Sequence, residues 1–243
     1  MFINSSFGIG PEVAQIGPSI FPTTALALRL KYQPTAGLYA LATVYDGVPG
    51  DPGNPRRTRI LLRKEEGVFY GAEIGLTSPE DQPEARRYKL ALGGWYHTRE
   101  FLDFRERTHH ANRGFYVLGE ALLIPGRDAT QGLGGFLQLG FADSDRNPIA
   151  VYLGTGLTYT GLLPGREQDV LGFAMAQARN SSAFLRTQAA NTPRAETTLE
   201  WSYRAVLLPW LQLQPDVQYV MNPGTNPELA NALALTLRVK MIL

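Results

Sequence analysis

The stretch from Ile149 to Arg179, IAVYLGTGLTYTGLLPGREQDVLGFAMAQAR, restricts the fold more than any other part of the chain. In its first arm Ile149, Val151, Leu153, Leu157 and Tyr159 fall on one face. Ala150, Gly154, Gly156 and Thr158 fall on the other with Tyr152, the period-two signature of a strand. The second arm sets Leu171, Phe173 and Met175 against Gly172, Ala174 and Ala176, and the link from Gly161 to Asp169 carries the Pro and Gly that break strands. The spacing predicts a hairpin with one large apolar face and one small or polar face.

The same alternation recurs along the chain. Thr24 to Tyr32 places Leu26, Leu28, Leu30 and Tyr32 opposite Ala25, Ala27, Arg29 and Lys31. Glu196 to Leu208 places Leu199, Trp201, Tyr203 and Leu207 opposite Thr198, Glu200, Ser202 and Arg204. Leu211 to Met221 sets Leu213, Val217 and Tyr219 against Gln212, Gln214, Asp216 and Gln218. Asn231 to Leu243 sets Leu233, Leu235, Leu237, Val239 and Met241 against Thr236, Arg238 and Lys240. Leu38–Asp46, Val68–Thr77, Tyr88–His97, Gly114–Ile124 and Gly135–Ala142 read as further strands. Asn4 to Thr23, Gly47 to Gly67, Arg99 to Arg113 and Asn180 to Arg194 read as loops. The pattern predicts about eleven strands and no helix, an all-β chain with a single domain over residues 1–243.

A soluble sandwich and a membrane barrel both need one apolar and one polar face, so secondary features separate them. Soluble strands average about five to six residues, whereas a tilted strand crossing a bilayer needs about nine to eleven, the length most segments reach. Tyr32, Tyr45, Tyr88, Tyr96, Tyr159, Trp210 and Tyr219 lie near strand ends, where barrels carry aromatic girdles. No apolar run approaches the length of a membrane-spanning helix. The net charge of +1 argues against a nucleic-acid partner. The absence of cysteine suits an exported protein but also many cytosolic ones.

DRNPIAVYLGTGLTYTGLLPGREQDVLGFA from Asp145 to Ala174 resembles the carbohydrate-selective outer-membrane porins of the OprB type. FINSSFGIGPE near the start, VYDGVPGDP from Val44, WYHT from Trp95 and LLPWLQLQPDVQYVMNPG from Leu207 extend the resemblance over nearly the whole chain, in the same order. The resemblance implies a transmembrane antiparallel β-barrel of sixteen strands in the bacterial outer membrane, of which this chain would be an incomplete C-terminal part. A complete member would start with a signal peptide and several more strands. It also implies passive diffusion of monosaccharides such as glucose, without a cofactor, in contact with outer-membrane lipid and with homo-oligomers open to the family. Leu243 stands where the resemblance implies a terminal aromatic residue. A general-diffusion porin and a barrel enzyme are the alternatives.

The residues themselves set the direction of the faces. An Arg or Lys facing lipid at mid-bilayer costs about 2–4 kcal/mol, so the polar set belongs on the lumen side. Arg29, Lys31, Glu73, Lys89, Glu200, Arg204, Asp216, Arg238 and Lys240 are then candidate lumen residues, and Trp95 and Tyr152 offer rings on which a sugar's C–H face can pack. A generic hydrated wall would carry the same residues. No catalytic or metal constellation emerges: His97, His109 and His110 are the only histidines, and a zinc site would need them to converge with a carboxylate. A serine hydrolase on the barrel exterior would need an outward histidine, whereas His97 is predicted to face inward.

Overall fold

Strands that alternate in this way can pair only in a register that keeps their large apolar side chains on one surface, and that constraint builds the sheet. The computed structural model describes residues 1–20, 23–50, 54, 62–79, 87–128 and 130–242. Its strands are β1 (Ala27–Thr35), β2 (Leu38–Asp46), β3 (Val68–Thr77), β4 (Tyr88–His97), β5 (Phe101–Leu102), β6 (Thr108–His109), β7 (Asn112–Pro125), β8 (Gly132–Ala142), β9 (Ile149–Thr160), β10 (Val170–Asn180), β11 (Ala195–Leu208), β12 (Leu211–Met221) and β13 (Ala232–Met241). All but β5 and β6 form one antiparallel 11-stranded sheet in chain order, and those two pair separately.

Register sorts the side chains into transverse rows. Leu157, Phe173, Trp201, Val217 and Leu235 pair in succession from β9 to β13. All five are exposed. One residue along, Gly156, Ala174, Glu200, Gln218 and Ala234 form the adjacent row on the opposite surface. There Ala174 and Glu200 are both 0% exposed. The sheet is therefore inverted relative to a soluble domain. Its exposed surface carries Leu28, Leu30, Leu92, Phe115, Leu137 and Leu237, while Glu200, Ser202, Gln214 and Asp216 are buried on the other.

The outer strands β1 and β13 are exposed along their entire lengths, since each pairs on one side only among the described residues. Pro34 lies inside β1, where the register slips between Tyr32 and Thr35. A proline lacks the N–H that a central strand needs, and an edge strand tolerates it. Among the described residues the sheet remains open, and β1 and β13 run in the same direction.

Connections at the two ends differ. Ala36–Gly37 and Pro209–Trp210 are two-residue turns at one end, and the links following β2, β4, β10 and β12 lie at the other. In the link between β4 and β7, Asp103 is 6% exposed and accepts bonds from the Arg105 and Arg107 N–H groups, Arg107 Nε at 2.8 Å and His109 Nε2 at 3.0 Å. Burial alone would raise its pKa, but these donors hold its carboxyl well below the usual range. Nearby, the buried amides of Asn112 and Asn147 exchange two bonds of 2.8 Å.

Several boundaries differ from the sequence reading. The first strand starts at Ala27 rather than Thr24, β7 and β8 are longer than expected, and the Arg99–Arg113 loop contains the β5–β6 hairpin. Single helical turns at Ser5–Phe7, Pro11–Ala14 (α1), Lys64–Glu66, Ser182–Leu185 and Pro223–Thr225 occur where only loops were expected. Most of the 51–61 stretch, parts of the 78–87 connection and Leu243 lie outside the described residues, including Asp51 and Pro52 of the VYDGVPGDP match.

Candidate functional site

The concave surface is roofed by the first twenty residues. Asn4 accepts the Ser6 N–H and so caps the turn at Ser5–Phe7. Pro11 starts α1, where a missing N–H costs nothing. Ile3 and Asn4 donate their N–H groups to Glu200 Oε1 and Oε2 at 2.6 and 3.1 Å, and Asn4 Nδ2 reaches Gln218 at 3.0 Å. Tyr152 Oη donates to Ser6 O at 2.7 Å, and Gln138 Nε2 to Phe7 O at 3.1 Å. Gln15 exchanges bonds of 2.7 and 2.9 Å with the backbone of Ile149. Phe2, Phe7 and Phe136 close an aromatic triangle with centroids 5.3–5.7 Å apart.

The small face of the hairpin explains why the segment fits. A Cβ on Gly172 would stand 2.9 Å from the Phe2 ring, and one on Gly140 would collide with the Glu12 carboxylate. Glycine and alanine on β8 to β10 thus leave the depth that the roof occupies.

Two polar clusters flank the roof. On β11 and β12, Gln214 Nε2 donates to Ser202 Oγ at 2.7 Å and Gln218 Nε2 to Asp216 Oδ1 at 2.9 Å, beside Glu200. On β2, β3 and β7, Tyr39 and Tyr116 donate to the two oxygens of Glu73 at 2.6 and 2.8 Å. Lys31 and Lys89 each approach the Tyr39 ring at 5.9 Å. The two phenol rings lie across Gly75 and Gly93, where any Cβ would collide with them.

The predicted lumen residues therefore divide. Lys31, Glu73 and Lys89 meet around Tyr39, Glu200 and Asp216 lie in one cluster, and Trp95 and Tyr152 line a common cavity of about 350 Å³. Arg204 is half-buried on β11; Arg238, exposed on β13, pairs across the ladder with Gln214 of the β11–β12 cluster, while Arg29 and Lys240 stand exposed on the two edge strands. Tyr39, Tyr116, Gln138 and Glu12 were missed. A tyrosine opposite a glycine on the neighbouring strand was the readable signal for the first two. His97 is consumed by backbone: Nδ1 accepts the Arg99 N–H, so Nε2 carries the proton donated to Gly47 O at 2.8 Å.

An antiparallel meander that is apolar outside and polar inside, with a segment laid across its concavity, is the porin class of fold. The chain belongs to the carbohydrate-selective porin, OprB family, whose profile matches residues 1–242. It is 22% identical to Porin B of Pseudomonas aeruginosa over 275 aligned positions, covering 99% of this chain and 60% of that protein. The chain thus spans about 60% of the length of the curated relative it matches. It superposes on the high-pH structure of Pseudomonas putida OprB with a TM-score of 0.82 at 21% identity, covering 96% of this chain and 62% of that one. The low-pH structure of the same protein gives 0.58 at 18% identity, with 88% and 54% covered.

Proposed function

We propose that this chain forms most of the wall of a passive, sugar-selective pore in the bacterial outer membrane, with the apolar surface toward lipid and the concave surface toward the lumen. One observation carries the reading: the buried surface is the polar one, and it presents paired carboxylates, phenols and an indole beneath a bonded roof. Sugars offer hydroxyls to such groups and C–H faces to such rings. Arg29, Lys31, Glu73, Lys89, Trp95, Tyr152, Glu200, Arg204, Asp216 and Arg238 are the proposed path, and no cofactor or metal enters the reading. The test uses protein purified from the membrane in which it is made and reconstituted into liposomes. Glucose influx is expected to saturate with concentration, and an acyclic polyol of similar mass to enter more slowly. Equal, unsaturable entry of both would replace the reading with a general-diffusion porin.

Closure completes the proposal. Edge strands that face lipid leave backbone groups unpaired, each costing several kcal/mol, so β1 and β13 require further strands. These complete a sixteen-stranded ring, as the family resemblance implies. The refolded 243-residue chain alone is expected to give no steady single-channel conductance. A stable porin-sized conductance from monomers would overturn the requirement.

A further inference from the structure

The outward surface of the sheet is apolar with few exceptions. Among the described strand residues that share the outward parity of Leu92 and Phe115, two are cationic, Arg113 near the start of β7 and Arg179 near the end of β10. One is acidic, Asp46 at the end of β2. All three lie at the end of the sheet that carries the long links. Arg113 and Arg179 are exposed, and neither guanidinium has a hydrogen bond or ion pair among the described residues. Beside Arg113 the same surface is hollowed. Ala42, Ala72 and Gly94 pair in succession across β2, β3 and β4, and the row continues into Phe115 and Phe141, whose rings stack at 4.7 Å. The next outward row is Tyr70, Tyr96 and Arg113. Short side chains between these taller ones leave a groove of about 850 Å³, with Arg113 on its lining. The size lies within the range of ligand sites, about 300–1,000 Å³. The carboxylate that also lines it, Asp143, is already paired with Arg146 at 3.0 Å, so Arg113 is the uncompensated charge.

We infer that the groove is a docking site for an anionic lipid of the surrounding leaflet, its phosphate held by Arg113 with Tyr96 beside it and one acyl chain laid over Ala42, Ala72 and Gly94. The site rests on the membrane orientation of the proposed pore and adds to it one specific lipid contact of the wall. Charge and shape each favour this occupant. A guanidinium offers a planar fork that meets a phosphate with two parallel N–H bonds. An arginine facing lipid near the interface costs about 0–1 kcal/mol, so Arg113 is tolerated where it stands, and a phosphate gives it the anion that the protein withholds. The strand backbone beneath the groove is already paired, so a hydrocarbon chain can fill it without leaving a polar group unmet. A second copy of this chain is the poorer occupant. Its own outward strand face brings two more cations, and its Asp46 stands three strands from Arg113.

Arg179 supplies an internal control. It shares the apolar face and the same end of the sheet, but it stands three strands from Arg113, roughly 14 Å at about 4.8 Å per strand. It lies beyond Phe141 and Val151 in their row and does not line the groove. A cation that merely attracts anionic lipid in general would act alike at both positions, whereas a built site needs the cation that adjoins the groove.

Native mass spectrometry tests the site on the full chain, purified in detergent from the membrane in which it is made and stripped of lipid. Phosphatidylglycerol is expected to bind at one molecule per chain, and a digalactosyl diacylglycerol with the same chains, which lacks the phosphate, about ten-fold more weakly. Excess glycerol phosphate should not displace the lipid, because it has no chain for the groove. Arg113→Gln should raise the half-saturating phosphatidylglycerol concentration about ten-fold and leave the galactolipid unchanged. Ala72→Leu, which fills the floor, should weaken both lipids, and Arg179→Gln should behave as the parent, with strand content unchanged by circular dichroism in all three variants. Parent-like binding by Arg113→Gln, or equal losses for Arg113→Gln and Arg179→Gln, would overturn the site while leaving the pore intact. A chain dimer that Ala72→Leu dissociates, in place of a lipid adduct, would give the groove to a second copy and equally overturn it. Failure of the membrane orientation itself reads out separately, as a neutral Leu92→Arg in folding into liposomes.

Discussion

Leu92→Arg is expected to lower the stability of the bilayer-inserted protein by about 2–4 kcal/mol, where the same change on the surface of a soluble domain would cost little. Leu92 sits mid-strand on β4, paired with Ile74 and Val117, and is 54% exposed. A soluble protein tolerates arginine at such an exposed position, usually within about 0.5 kcal/mol. Facing hydrocarbon, the guanidinium must thin the bilayer or draw in water. Urea titration of folding into liposomes, parent against variant, reads the difference. A neutral result would place this surface in water and remove the membrane reading.

Glu200→Ala is expected to release the roof. Glu200 is fully buried and holds two backbone donors of the opening segment, from Ile3 and Asn4, with its two oxygens. Bonds to a carboxylate contribute about 1.5–3 kcal/mol each, so losing both should cost the docked segment about 3–6 kcal/mol, less whatever is regained by separating Glu200 from Asp216. The packing of Phe7 on Phe136 and the Gln15–Ile149 exchange would still tether the segment farther along. Limited proteolysis should then cut within residues 1–10 many times faster, with the strands intact. Glu200→Gln, which keeps one acceptor, should fall between. Unchanged cleavage would show that the Phe cluster alone seats the roof.

Much of this architecture was legible before any coordinates. The two arms from Ile149 to Arg179 pair as β9 and β10 in a register that puts Leu157 beside Phe173 and Gly156 beside Ala174, as their alternation demands. Outward placement of Leu26, Leu28, Leu30, Leu199, Trp201, Leu233, Leu235, Leu237 and Val239 followed from the same period, and all are exposed but Leu199, which is half-buried. Period two is a local property of an extended chain, so a single sequence reveals it wherever one face must be apolar. Strands without a clean alternation were harder. Leu38–Asp46 and Asn112–Pro125 acquire their register only by pairing with β3 and β4, whose patterns are clear.

The roof and its cavity belong to the tertiary structure alone. Asn4 to Thr23 contains the glycine, serine and proline of an ordinary loop, and nothing in its order distinguishes a segment in solvent from one laid across a sheet. Its position depends on contacts far apart in the chain, such as Ile3 with Glu200 and Gln15 with Ile149, and on side chains that are missing at Gly140 and Gly172. The same holds for the Glu73 clamp, which needs Tyr39 and Tyr116 to converge from either side of β3. The amino-acid sequence by itself determined which face of each strand is apolar, because alternation is set residue by residue. Which polar groups meet on the other face was decided by strand register and by the path of the opening segment, both of which are long-range.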